Sequence, residues 1–379
     1  MKKVILTGNG LSVGLNKAFA LENITKTFYN KLSPEHRKFI QHHMERIQKN
    51  EYIQVDFEEA IASIEQVHDS LDAYVSFLLY EDEGQKFLES ENLSVEELQD
   101  HLEKIKEIII TYSASIVETI DGNVHWDQIG EKLSGFINWL KSELQGNDEI
   151  ELFTLNFDLL LETILLKIVG TDEFTDFHVK RGKYEGIDKF NFDPQQSFSD
   201  FDYRRIRLHH LHGSLSSFKR LSDGRVFKLR TEEIRLSDMY KNLNANEIFP
   251  SIITGGFKSR KIQSSPFNYY YGKFKEKMVN PKKLCDELYI IGYSFRDEHI
   301  NEAISRRLKI HRNQDDKQLK RFVIVDYKLS EEDQEKFIND VNKALELGPR
   351  TKLRKEDGIF IFEGVDAIDQ LLHVSSDMK

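Results

Sequence analysis

Five short apolar runs, each bounded by glycine or polar residues, constrain the fold of this 379-residue chain most. They are Lys3–Thr7, Ile150–Leu155, Leu284–Tyr293, Arg321–Asp326 and Gly358–Phe362. Runs of this length and composition are typical of strands that are buried in a sheet and that alternate with helices. The sequence therefore predicts an α/β fold with a mostly parallel sheet flanked by helices. The stretch Thr171–Arg205 shows no clear period and is expected to form a loop, and Ser222–Gly224 is expected to turn a hairpin.

Apolar residues between the first two runs recur at three- and four-residue steps, which is the helical period. The pattern predicts helices over Phe57–Leu78, Leu98–Ile116 and Ile129–Leu144. Ser94 followed by Glu97 indicates a capping box at the start of the second helix. We expect residues 1–19 and 149–379 to form the sheet domain, and residues 20–148 to form a large helical insertion.

The negative charge of the chain is concentrated in one segment. The formal net charge is -11, and residues 51–150 hold 24 acidic and 5 basic residues. This acidic surface is either a solvated face or a docking surface for a partner. A nucleic-acid binder needs a dominant basic face, whereas this chain offers only short clusters at 204–207 and 258–261. We therefore expect no direct nucleic-acid binding.

Cysteine content and hydropathy exclude several classes of protein. The single cysteine, Cys285, cannot form an internal disulfide or a zinc site that needs two or more thiolates. No stretch approaches the roughly 20 apolar residues of a membrane span. The first apolar run is too short for the apolar core of a signal peptide. We expect a cytoplasmic protein that does not enter the membrane.

Four segments at predicted strand ends carry the functional signal. They are Gly8–Gly14, Thr154–Asp158, Leu211–Leu215 and Ile290–Asp297. Ligands of open α/β sheets bind at the carboxyl ends of strands, and a glycine-rich turn lets a phosphate approach the backbone closely. Glycines in such a turn are also required for positive φ alone, so the first segment does not decide the function by itself.

In this order, the segments resemble the sirtuin family. Its sequence motifs are matched, in chain order, by Gly8–Ser12, Thr154–Asp158, His212-Gly213, Gly292–Ser294 and Val325-Asp326. Phe362–Asp366 resembles the turn on the adenine side. The four zinc cysteines of protein-deacylase sirtuins are absent, and so is the segment that normally follows the first loop. In these absences and in the segment Gly292–Asn301, the chain resembles the sirtuin-like NADases of bacterial anti-phage defence, of the kind paired with a HerA-type ATPase.

The resemblance implies a Rossmann-like fold and an NAD glycohydrolase that releases nicotinamide and ADP-ribose. NAD would be the substrate, no zinc would be bound, and the chain would form a homo-oligomer with a possible HerA-type ATPase partner. Asn156 and His212 would be catalytic, with Asp158 at the nicotinamide carboxamide and with Gly8, Gly10 and Ser12 as pyrophosphate donors. The implied NAD-binding residues are Gly8, Asn9, Gly10, Ser12, Asn156, Asp158, Gly292, Ser294, Asp297 and Asp326.

Other interpretations of the same residues remain open. His209, His210 and His212 could hold a metal ion, although side chains on a strand point in different directions. Asn156 and Asp158 could cap the helix near Leu159. Ser294, Asp297 and Asn301 could be turn and cap residues. Two rival functions follow, namely a sirtuin-type protein deacylase lacking zinc and a non-catalytic NAD or ADP-ribose sensor, and a nuclease is a more distant one.

Overall fold

The computed structural model describes residues 1–51, 57–91, 94–146, 148–171, 173–195, 205–220, 223–230, 236–241, 243, 248–253, 261–313 and 317–374. The basic clusters at 204–207 and 258–261, the predicted loop and the predicted turn at Ser222 lie in part outside these residues. Among the helices that are described, none combines the length and apolar character needed to cross a membrane.

The described strands, in chain order, belong to two sheets. They are β1 (Lys2–Thr7), β2 (Glu149–Thr154), β3 (Phe174–Thr175), β4 (His178–Tyr184), β5 (Ile187–Phe192), β6 (Ile206–His210), β7 (Gly213–Arg220), β8 (Val226–Leu229), β9 (Ile248–Ile252), β10 (Glu287–Ile291), β11 (Arg321–Val325) and β12 (Phe360–Ile361).

The described helices fall into an N-terminal group and a group that alternates with strands. The first group is α1 (Gly10–Leu15), α2 (Leu21–Lys31), α3 (Pro34–Glu51), α4 (Phe57–Tyr80), α5 (Asp82–Glu91), α6 (Val95–Asn123), α7 (Trp126–Lys132) and α8 (Ser134–Leu144). The second is α9 (Leu160–Val169), α10 (Leu236–Lys241), α11 (Phe267–Val279), α12 (Glu298–Asn313), α13 (Glu331–Ala344) and α14 (Gln370–Val374).

A seven-stranded parallel sheet forms the centre of the fold, in the order β12-β11-β10-β1-β2-β6-β3. This confirms the predicted α/β class. Alternate residues of its strands point to opposite faces, so Ile5 joins one apolar core and Val4 and Leu6 join the other. The first core contains apolar residues of α2, α6, α8 and α9, and the second contains those of α11, α12 and α13. Burial on both faces explains the apolar runs of β1, β10 and β11.

The N-terminal helices confirm the predicted helical region. Ser94 caps α6 by accepting a hydrogen bond from the Glu97 backbone N–H at 3.2 Å. The predicted third helix is two helices, because the chain breaks at Leu133 between α7 and α8. The division of the chain into a sheet domain and an insertion over 20–148 stays a prediction.

A second sheet is antiparallel, in the order β4-β5-β8-β7-β9. Its β7–β8 pair flanks the turn predicted at 222–224 and confirms that hairpin, whereas the rest of the sheet was not expected from the sequence. The prediction of a loop over 171–205 is wrong for the part that holds β3, β4 and β5. The β4–β5 turn places Glu185 and Gly186 at φ 49° and 85°, the left-handed conformations of a two-residue hairpin turn. Asn-Gly or Asp-Gly would have marked such a turn, whereas Glu-Gly does not.

Asp366 accounts for the start of α8, and replacing it should destabilise the fold. Its Oδ1 accepts hydrogen bonds from the N–H groups of Gly135 at 2.7 Å and Phe136 at 3.1 Å. We expect Asp366→Ala to lower the free energy of unfolding by about 1–2 kcal/mol, as loss of a helix cap does. Denaturant unfolding measures the change. Asp369→Ala, in the same turn, is the control and should cost less than about 0.5 kcal/mol; equal losses would contradict the capping role.

Candidate functional site

A cavity of about 350 Å³ lies at the carboxyl edge of the parallel sheet. The loops after β1, β2, β6, β10 and β11 all reach it, because parallel strands end at the same edge. The chain crosses from one side of β1 to the other between β6 and β10, so the carboxyl end of β1 is the topological switch point of the sheet. Open α/β sheets bind their ligands at such a point.

The loops after β1 and β10 touch through their backbones. Gly8 N–H donates to Ile291 O at 2.9 Å, and Gly10 N–H donates to Gly292 O at 2.8 Å. A β-carbon on Gly10 would lie 2.5 Å from Cα of Gly292, which itself has φ of +62°. The close approach of the two loops therefore requires glycine at both positions. These N–H groups are already used within the protein, whereas that of Asn9 donates to no residue within the described ranges.

Asn156, Ser12 and Asp158 form a buried polar network beside the cavity. Asn156 Nδ2 donates to Gly8 O and to Ser12 Oγ, each at 3.0 Å. The Ser12 hydroxyl donates to Asp158 Oδ2, and Asp158 Oδ1 accepts from Leu160 N–H at 3.0 Å. Asp158 therefore caps α9, as the alternative interpretation allowed. Burial raises the pKa of Asp158, while its hydrogen bonds act in the opposite direction.

The three neighbouring histidines occupy three different environments. His212 lines the cavity, where the chain passes from β6 into β7, and its carbonyl accepts from Ile253 N–H at 2.8 Å. His209 is fully buried, stacks on Phe153 at 4.4 Å and contacts Glu151 Oε2 at 2.5 Å. Burial lowers the pKa of His209. These positions do not bring the three imidazoles to one metal ion.

His210 lies instead beside two carboxylates and a buried lysine. His210, Glu162 and Asp176 place one potential ligand atom each within 4.8 Å of one another. The Lys228 ammonium already contacts both acids, at 2.6 Å from Glu162 and 2.7 Å from Asp176. Burial and the nearby Lys228 charge lower the pKa of His210 to about 3. The lysine supplies the cation of this cluster.

Gly213 explains why a glycine follows His212. Its φ is +85°, and a β-carbon there would lie 2.2 Å from Ser251 O on β9. A larger residue would push β7 away from β9 and move the backbone that carries His212. The His-Gly pair is thus set by the packing of the antiparallel sheet as well as by any chemistry.

The loops after β10 and β11 bring charged side chains to the cavity. Ser294, Asp297 and Asp326 line the cavity together with two cations, Arg296 and Lys328. Lys328 Nζ lies 3.1 Å from Asp326 Oδ2, and Asp326 Oδ1 accepts from Tyr327 N–H at 2.7 Å. Asn301 Nδ2 donates to Phe295 O at 2.8 Å, which supports the turn role that the alternative interpretation allowed for Asn301.

The N-terminal helices supply an apolar wall that sequence reasoning missed. Leu21 and Ile24 of α2 and Tyr112 and Ile116 of α6 line the cavity. Tyr112 and Ile116 lie on the apolar stripe predicted for packing, and the period of a stripe cannot show which of its members faces a cavity. No stripe was predicted for the segment that forms α2. Arg296 was also missed as a site residue, although it lies within a segment that the sequence analysis selected.

The structure therefore brings together nearly all of the sequence-predicted residues. Those that line the cavity are Gly8, Asn9, Gly10, Asn156, Asp158, His212, Gly292, Ser294, Asp297 and Asp326. Ser12 is buried behind this surface and contacts it through Asn156 and Asp158. Their roles towards a ligand stay predictions.

A family model described as a SIR2-like domain matches residues 150–345, which is just over half of the chain. No curated protein matches the sequence. The matched range holds β2, β6, β10 and β11 with their loops, while β1 and the glycine loop that completes the cavity lie outside it.

Proposed function

The chain belongs to the SIR2-like family, and on this premise we propose that it hydrolyses NAD to nicotinamide and ADP-ribose. The observation that carries the proposal is the cavity at the switch point, into which five strand-end loops bring Asn156, His212 and two cations. A cavity of about 350 Å³ lies within the usual range for small-molecule sites. Its polar groups are few and converge from different strands, as expected for a site that orients one ligand.

The proposed reaction breaks the bond between C1′ of the ribose and the nicotinamide nitrogen. Nicotinamide leaves as a neutral base, and a water molecule bonds to C1′ on the opposite face. His212 would take the proton that this water loses, because histidine titrates close to neutral pH. Asn156 Oδ1, which accepts no hydrogen bond from the described residues, would orient the water or a ribose hydroxyl. Positioning and electrostatic support would supply most of the rate.

The dinucleotide would lie across the ends of β1, β10 and β11. Its pyrophosphate carries two negative charges, and Arg296 and Lys328 supply positive charge to the same cavity. Asp326 would accept a hydrogen bond from a ribose hydroxyl, as acidic residues at strand ends do in dinucleotide folds. The apolar wall of Leu21, Ile24 and Tyr112 would exclude water from the reacting end.

Hydrolysis is favoured over the two rival functions by two features. Deacylase sirtuins carry a thiolate zinc module, and Cys285, the single cysteine, is buried against Arg307. A sensor needs to bind NAD but has no need of a base beside the ligand, whereas His212 lines the cavity.

Purified protein incubated with NAD tests the proposal. We expect nicotinamide and ADP-ribose in equal amounts by chromatography. Release of O-acetyl-ADP-ribose from an acetylated peptide would favour the deacylase instead. Calorimetric binding of NAD without turnover would favour the sensor. Hydrolysis that survives in both Asn156→Ala and His212→Ala would refute the site assignment.

Removal of a cavity cation should weaken substrate binding more than turnover. We expect Arg296→Ala to raise KM for NAD about 10-fold with kcat changed less than about threefold, because a charge-assisted contact to the pyrophosphate is present before and during the reaction. Steady-state kinetics measures both constants. Arg306→Ala, an exposed arginine that pairs with Glu302 on α12, is the matched control. An unchanged KM in Arg296→Ala would place the pyrophosphate elsewhere.

The proposed cellular role is depletion of NAD during phage infection by a cytoplasmic effector. It rests on the resemblance to defence sirtuins, and so do the expected homo-oligomer and the HerA-type ATPase partner. The acidic surface of the N-terminal helices is the first place to seek such contacts. NAD loss measured with and without partner or phage components tests this role.

A further inference from the structure

The hydrogen bonds around Asn156 have a fixed direction. Gly8 O can only accept, so the Asn156 group that faces it must be the amide NH₂. The same NH₂ donates to Ser12 Oγ at 3.0 Å. Ser12 Oγ can accept this bond only if its own O–H points in another direction. That O–H donates a hydrogen bond to Asp158 Oδ2.

Asp158 is not free to make the same contacts towards the cavity. Its second oxygen accepts the Leu160 N–H at 3.0 Å, so both carboxylate oxygens are used inside the protein. Ser12 and Asp158 are buried, and exchange of their partners for water would be costly. Asn156 Nδ2 thus donates to Ser12, and Ser12 donates to Asp158. Asn156 Oδ1 accepts no hydrogen bond from the described residues.

We propose that Ser12 and Asp158 are positioning residues that act on the reaction through Asn156, by fixing its amide with Oδ1 towards the substrate. This inference rests on the proposed function. It differs from the sequence-based expectation, in which Ser12 contacts the pyrophosphate and Asp158 contacts the nicotinamide carboxamide. An amide that is not fixed has two nearly isosteric orientations, of which one presents the wrong group to water.

A double-mutant cycle distinguishes the two interpretations. Ser12→Ala and Asp158→Asn should each lower kcat about 10- to 100-fold while KM for NAD changes less than about threefold. In the Asn156→Ala background, either change should lower kcat no further, because the group it positions is gone. Additive losses, or a raised KM with unchanged kcat, would overturn the proposal in favour of direct substrate contact. Ser305→Ala, which removes a buried hydroxyl bonded to Leu345 O, is the control for packing.

A second measurement does not depend on activity. In protein labelled with ¹⁵N-asparagine, the Asn156 side-chain NH₂ is assigned by its absence from Asn156→Ala. We expect slow hydrogen exchange of this NH₂ in the wild type, and at least about 10-fold faster exchange in Ser12→Ala and Asp158→Asn but not in Ser305→Ala. Equal exchange in all variants would overturn the positioning role. If the wild type does not hydrolyse NAD, the proposed function fails. The exchange experiment still decides whether Ser12 and Asp158 fix the Asn156 amide.

Discussion

His212→Ala is expected to lower kcat for NAD hydrolysis by about 10²- to 10⁴-fold, which is the usual contribution of a general base. KM should change much less, because a group that takes a proton in the transition state contributes little to binding the ground state. The expectation rests on the place of His212 at the junction of β6 and β7, where it lines the same cavity as the loops after β1 and β10. Initial rates of nicotinamide release measure kcat and KM together.

The folding of the variant must be separated from its chemistry. Gly213 keeps its positive φ when His212 is replaced, so the strand that follows should pack as before. Matching thermal unfolding curves for the variant and the wild type would establish this. His101→Ala, an exposed histidine on α6, is the matched control and should retain full activity. Hydrolysis within about threefold of the wild type in His212→Ala would exclude it as the base.

Five strands of the parallel sheet could be predicted from their short apolar runs, whereas β6, which carries Arg207, His209 and His210, and β3, which lies in the predicted loop, could not. The apolar side chains of a run such as Arg321–Asp326 favour a strand that is buried on both faces. The glycine and polar residues at its boundaries indicate where the strand ends. The β4–β5 part of the antiparallel sheet could not be predicted, because β4 is an edge strand with Lys180, Arg181 and Lys183 exposed, and charged edge strands lack the usual apolar signal. The break between α7 and α8 depends on Asp366, more than two hundred residues away, and no local pattern contains that contact.

Most of the residues that line the cavity could be predicted, while their partners could not. Strand ends mark the edge where ligands bind, and this selected the segments that hold Asn156 and His212. The resemblance to sirtuins selected these two residues within their segments, and it also selected Asp326. That Asn156 reaches Gly8 O follows from the position of β1 next to β2, which is a property of sheet order. Sheet order is set by packing of the whole domain and is not encoded in any one segment.

Removing the buried lysine should have the largest effect on stability. We expect Lys228→Met to lower the free energy of unfolding by about 3–5 kcal/mol, because it leaves the Glu162 and Asp176 carboxylates without their cation in a buried site. Burial opposes charge on Lys228, yet the two carboxylates raise its pKa, so the ammonium is present at neutral pH. Denaturant unfolding measures the loss. Lys180→Met is the matched control, because Lys180 is 57% exposed and its ion pair with Asp188 should be worth less than about 1 kcal/mol.

The pH dependence of stability provides an independent test of the same cluster. The pKa of His210 is about 3 in the folded protein, against about 6.5 unfolded, so the unfolded chain binds more protons between these values. Wild-type stability should therefore fall as pH drops below about 6.5, by up to about 1.4 kcal/mol per pH unit from this group. In Lys228→Met, the pKa of His210 should rise because the nearby positive charge is gone, and this part of the acid dependence should shrink. An acid slope that is the same in both proteins would show that Lys228 does not act on His210.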